Sequence, residues 1–174
     1  MDAVELRAAQ APLKERYKQD PEAALRTLHA RGSLESAGIT CCVDRPGGFA
    51  VAGLHPATGG TGEEHCSGDM LLEALVACAG VTLRAVATAM GIPIRGGSVL
   101  AEGDLDFRGT LGVSRETPVG FTAIRLHFAL DTTAPQESLE KLLKLTERYC
   151  VVSQSLRVTP VMTIGPLAFA PAAA

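Results

Sequence analysis

The chain has 174 residues, 47% of them hydrophobic and 20% charged, with a formal net charge of −3, which is long enough to bury a core and ordinary for one globular domain. Weak acidity, no Trp and only 4% aromatic residues argue against both the basic footprint of a nucleic-acid binder and the stacking platforms that hold single strands. The charged start MDAVELRAAQ lacks the apolar centre of a secretory signal, and Arg84 interrupts the best apolar run, so a cytoplasmic protein without a membrane span is expected.

In chain order, residues 12–31 place Leu13, Tyr17, Ala24, Leu25 and Leu28 on one side of an amphipathic pattern. Asp20-Pro21 marks a break and restart, and Gly32 a stop, so a two-piece helix is predicted. Segments 39–44 and 49–54 read as short strands joined by RPGG, a hairpin signal. HPATGGTGEEHCSG, residues 55–68, is Gly-rich and polar and predicts a loop. A long apolar helix follows over 69–90, stopped by Gly91 with Pro93 beyond. Segments 98–109 and 121–131 alternate apolar and polar residues, as strands with one buried face do, and LGVSRETPVG connects them. Leu139, Leu142, Leu143 and Leu145 line a second helix, a short third one starts near Val151, and 161–169 reads as a closing strand. Helix, hairpin, long helix, hairpin, helix pair and strand make an α+β order rather than a βαβ array.

Five cysteines, Cys41, Cys42, Cys66, Cys78 and Cys150, are odd in number and irregular in spacing, unlike a disulfide framework. Cys78 shares a stripe of the long helix with Leu71, Ala74, Leu75, Val81, Thr82 and Ala85, while Glu73, Ala77, Gly80 and Arg84 lie opposite. A helix with small and apolar residues on both sides reads as buried nearly all round. Cys78 is then either a small core hydrophobe or a reactive thiol. Cys150 follows TERY where one helix ends and another begins. A helix N-terminus favours thiolate, although Tyr149, Val151 and Val152 also make an apolar corner that would hold an inert cysteine.

Cys41 and Cys42 are adjacent in a predicted strand and point to opposite faces. His55, His65 and Cys66 share one loop without a zinc spacing, so neither a metal nor a cofactor is expected; Cys66 stays as an alternative thiol. GGTG at 59–62 lacks the strand and Lys-Ser/Thr of a phosphate loop. His29 and His127 read as surface or satisfied core residues.

DMLLEALVACAGVTLRAVATAMG resembles the cysteine helix of the OsmC/Ohr superfamily, E-L-L-L-A-x-L-x-A-C followed by T-L-R, and ERYCVVSQSL is similar to its second motif, A-x-x-C-P-V-S-x-x-L. The resemblance runs from about Ile39 to the C-terminus, leaving 1–34 as a helical extension of one domain over 1–174. It implies an intertwined homodimer of the OsmC-like fold, with central cysteine-bearing helices packed against antiparallel sheets. It also implies a thiol-dependent peroxidase. Cys78 would attack an organic hydroperoxide and become a sulfenic acid, Cys150 would condense with it to a disulfide, and a dithiol reductant, lipoyl-type in some members, would restore both thiols. In the family an Arg of the hairpin turn and a Glu ahead of the cysteine helix support the thiolate; here those slots hold Arg45 and Asp69.

Asp69 is one departure from the family pattern: it is shorter than Glu, suits an N-cap, and precedes Cys78 by nine residues, about 13 Å along a helix. It could act only across a dimer interface or through a kink. Glu73 points away from Cys78, and Arg84 lies about 240° around the helix from it. The second departure is Val151 in place of Pro, which frees a backbone N–H. The runner-up reading is a non-catalytic protein holding a small lipophilic ligand in an apolar crevice, its cysteines unreactive; a thiol enzyme acting on another electrophile is a third.

Overall fold

The computed structural model of the chain describes residues 1–34 and 38–166. Two small sheets flank one long helix. The first sheet is β1 (Gly32–Leu34), β2 (Cys41–Arg45), β3 (Gly48–Gly53) and β4 (His65–Cys66), in that spatial order. The predicted hairpin is β2–β3, registered Arg45 to Gly48. Pro46 and Gly47 are its central residues, and Gly47 has φ 85°, a conformation that favours glycine at the third position of such a turn. The predicted loop 55–68 holds more structure than its composition suggests. It contains a 3₁₀ turn, Pro56–Thr58, and then β4, which runs parallel to β3 with Cys66 beside Gly53. A two-residue strand is too short to show a period, so only its pairing reveals it.

The second sheet is β5 (Gly96–Asp104), β6 (Ala123–Asp131) and β7 (Val161–Pro166), with β5 antiparallel and β7 parallel to β6. The strand predicted over 98–109 stops early, because Asp106 accepts the Arg108 N–H and caps a helical turn, α3 (Phe107–Thr110). The predicted closing strand is described to Pro166, and its remainder lies outside the described residues.

The N-terminal prediction needs correction. The helix is α1 (Ala3–Gln19), started by an Asp2–Glu5 capping box and running through Pro12. Past Pro21 only a single 3₁₀ turn, Pro21–Ala24, forms before the backbone extends at Leu25, and Gly32 opens β1 instead of ending a helix. Leu25 and Leu28, assigned to the apolar side, are 72% and 88% exposed. An amphipathic pattern yields a stable helix only where its apolar stripe meets a surface to cover, and among the described residues these two meet none.

The core lies between the central helix α2 (Ser67–Met90), the second sheet and α4 (Gln136–Tyr149). Leu75, Ala79, Leu83 and Ala87 of α2 pack with Ile124, Leu126, Phe128 and Leu130 of β6 and Leu139 and Leu142 of α4. Each such Leu or Phe contributes roughly 1.5–3 kcal/mol by leaving water. The reading of α2 as buried all round fails within one chain, since only that single stripe is buried and Leu71 and Val81 are 39% and 72% exposed. By length and composition α2 could cross a bilayer, yet here it carries the core of a two-sheet fold.

Candidate active site

Two helix junctions bring the site together. α2 ends at Gly91, whose φ of 70° lets its N–H reach back to Ala87 and Thr88; residue 78 then falls near the middle of the helix, half-buried on the edge of the core. Thr146 and Leu142 hold the end of α4, the Thr146 hydroxyl donating to the Leu142 carbonyl at 2.8 Å. Cys150 follows in an extended conformation, φ −74° and ψ 105°, and serves as C-cap of α4 and N-cap of α5 (Val151–Ser155) at once. Its N–H donates to Thr146 at 2.9 Å, and its carbonyl accepts from Gln154 at 3.0 Å. The side chain is fully buried. The extended residue between two helices turns α5 back on α2.

That turn sets the two thiols beside each other, each among the causes that shift the other. Burial pushes the Cys78 thiol up, but the Val152 N–H, the Cys150 thiol, the Val151 N–H and the Thr82 hydroxyl all donate to its sulfur and together bring it below the ordinary cysteine range. Cys150 moves the other way. Burial raises it most; the Ser153 N–H opposes this, the neighbouring Cys78 raises it further, and the Val152 N–H opposes it again. The sequence predicts thiolate stabilisation by a helix N-terminus at Cys150; the N–H groups of α5's first turn act on both sulfurs, and at Cys150 burial outweighs them. Ser153 beside it is 4% exposed, and its Oγ has no hydrogen-bond partner among the described residues.

Of the four residues singled out in the sequence, the chain brings Cys78 and Cys150 together and leaves Arg45 and Asp69 elsewhere. Arg45 ends β2 and pairs with Glu73 at 3.6 Å, and Glu73 also lies 3.9 Å from His65. Glu73 therefore faces away from Cys78, as its wheel position predicts. Asp69 is not the cap of α2: Cys66 occupies that position, without a side-chain cap bond, and Asp69 sits in the first turn, where its charge suits the helix dipole. Asp69 and Cys66 line a cavity of about 430 Å³ with Leu54, Leu72, Phe107 and Phe121. Among the described residues, the groups that lower Cys78 are hydrogen-bonding ones, with no Arg or carboxylate among them.

Two donors escaped the sequence reading. In the sequence Thr82 reads as a small member of the Cys78 stripe, although a hydroxyl at i+4 on a helix meets the side chain at i. Val152 appeared only as an apolar neighbour, because a backbone N–H leaves no mark in a sequence. The remaining candidates have local roles. Cys41 and Cys42 lie in β2 as expected. The His55 ring stacks on Phe107 at 4.7 Å, and His127 meets Thr163 at 2.7 Å. Among the described residues, no three His, Cys, Asp or Glu side chains gather as a metal ion would need.

A family model described as OsmC-like protein matches residues 60–165. No curated protein matches the sequence. Among solved structures, an OsmC-like protein from Mycoplasma pneumoniae superposes with a TM-score of 0.67 at 14% identity, covering 82% of this chain and 98% of its own. An organic hydroperoxide resistance protein, OsmC, from Legionella pneumophila gives 0.61 at 22% identity, covering 81% and 96%. The organic hydroperoxide resistance protein OhrB of Bacillus subtilis gives 0.56 at 19%, covering 82% and 99%. These relatives are matched almost whole, while this chain carries additional residues.

Proposed function

From the premise that the chain belongs to the OsmC-like protein family, we propose that it is a thiol peroxidase for organic hydroperoxides. The observation that carries the reading is the Cys78–Cys150 contact, in which one thiol is held toward thiolate and the other toward the protonated form. That is the division of labour the reaction needs. The Cys78 thiolate attacks the terminal oxygen of ROOH, the O–O bond breaks, and ROH leaves after taking a proton, with Cys78 as sulfenic acid. The Cys150 sulfur then attacks the Cys78 sulfur, water leaves, and a disulfide forms. A dithiol of the lipoyl class, itself oxidised to a disulfide, returns both thiols.

Arg45 and Asp69 act on this site only if a second copy supplies them, which accords with a homodimer. The unburied face of α2, with Leu71, Ala74 and Val81 on the Cys78 stripe, is the surface such a copy would cover. Arg45 would stabilise the developing alkoxide and Asp69 would orient Arg45. The lipophilic-ligand reading draws on the cavity beside Asp69, but it gives no reason for two thiols of opposite acidity in contact. The Cys78→Ser protein tests the proposal: hydroperoxide consumption should fall to background, and an unchanged rate would overturn it.

A further inference from the structure

Three helix hydroxyls donate to the carbonyl four residues before them: Thr88 to Arg84, Thr146 to Leu142 and Ser155 to Val151, each at 2.8 Å. Ser153 lacks that bond. It is 4% exposed, and its Oγ has no hydrogen-bond partner among the described residues. The break between α4 and α5 is the cause. Four residues before Ser153 stands Tyr149, the last residue of α4, on the far side of the extended Cys150, so the helical carbonyl that would take the hydroxyl is not presented. A buried hydroxyl without a partner is destabilising, and folded proteins carry few of them.

The hydroxyl belongs to the corner that holds Cys150. Cys150 is the N-cap of α5 and Ser153 its third residue, two positions that face each other at the start of a helix. The Ser153 N–H is the strongest of the groups that lower the Cys150 thiol. The Cys150 N–H is already taken by the Thr146 carbonyl at 2.9 Å, so it offers the hydroxyl nothing. The Cys150 sulfur is the group at this corner whose need for a donor grows when it reacts. A thiol accepts a hydrogen bond weakly, a thiolate strongly. A serine hydroxyl changes partner by turning about one side-chain bond.

We propose that Ser153 is a positioning residue for the second thiol: its hydroxyl, unpaired in the reduced protein, donates to the Cys150 sulfur as that sulfur loses its proton. In the resolving step the Cys150 sulfur bonds to the Cys78 sulfur, the S–O bond of the sulfenic acid breaks, and the Cys150 proton leaves with that oxygen as water. The Ser153 hydroxyl keeps its own proton. The part played in that step rests on the peroxidase reading; the support of the Cys150 thiolate does not.

Two measurements on the full-length protein separate them. Without peroxide, adding Ser153→Ala to the Cys78→Ser protein should move the mass-resolved alkylation profile of Cys150 up by about one pH unit, the scale of one hydrogen bond to a charged group. With cumene hydroperoxide, the Ser153→Ala protein should lose its Cys78 thiol within about twofold of the unmodified rate. It should form the Cys78–Cys150 disulfide about tenfold more slowly at neutral pH, leaving more sulfenic acid to trap with dimedone. An unshifted Cys150 profile, or equal rates of disulfide formation, would overturn the inference; a lower melting temperature with an unshifted profile would mark Ser153 as packing alone. A shifted profile with no hydroperoxide consumed would end the peroxidase reading and leave Ser153 as the support of Cys150. Hydroperoxide consumed with equal disulfide rates would do the reverse.

Discussion

The backbone N–H of Val151 is among the groups that lower the Cys78 thiol, from the position at which the family motif carries a proline. A proline has no N–H to give, so this departure supplies the thiolate with a donor the motif lacks. Val151→Pro should fold, since proline is favoured at the first position of a helix. It should lower the peroxidase rate at neutral pH by about tenfold, the scale of one hydrogen bond to a charged group. Comparing initial rates at matched peroxide concentration checks this.

The opposite displacements of the two thiols fix the order of their titration. Cys78, held below the ordinary range by hydrogen bonds that outweigh burial, should be alkylated first as pH rises, and Cys150, raised chiefly by burial, last. The signs carry over to stability. The Cys78 contribution is present above the unfolded thiol pKa and is lost as pH falls through the lowered folded value. The Cys150 contribution is present below the unfolded value and is lost as pH rises through the raised one. Mass-resolved alkylation across a pH series reads the order directly.

Thr82 also donates to Cys78. Thr82→Val keeps the shape and removes the hydroxyl, which should shift the alkylation profile of Cys78 upward in pH and slow its neutral-pH reaction by about twofold to fivefold, a smaller effect than losing a stronger donor. An unshifted profile would show that the hydroxyl contributes nothing to the thiolate.

Val81, 72% exposed within the chain, lies on the Cys78 face of α2 and should be covered in the dimer. Sedimentation should give twice the 18.1 kDa chain mass. Val81→Glu should weaken association by about a hundredfold, because a buried unpaired carboxylate costs several kcal/mol. A mass near one chain for the unmodified protein would remove the assembly on which the roles of Arg45 and Asp69 depend.

What was legible in the sequence followed from local chemistry. Gly91 and the apolar run fix α2, RPGG fixes the hairpin, and Leu139, Leu142 and Leu143 fix α4. The N-terminal helix was misplaced because Asp2 and Glu5 form a capping box ahead of any apolar period, while Leu25 and Leu28 have the period and no surface to pack on. Cys78 and Cys150 were visible as a pair through their motifs. Which of them α5 favours was not visible, since that depends on Cys150 being extended between two helices and turning the Val151 and Val152 amides toward the other sulfur.

The most direct test is the intact mass of the reduced protein after a brief, near-stoichiometric dose of an organic hydroperoxide, followed by peptide mapping. The account predicts loss of two hydrogens, located in a Cys78–Cys150 disulfide, with the peroxide consumed. An unchanged mass with the peroxide intact would contradict it and return Cys78 to the packing of α2.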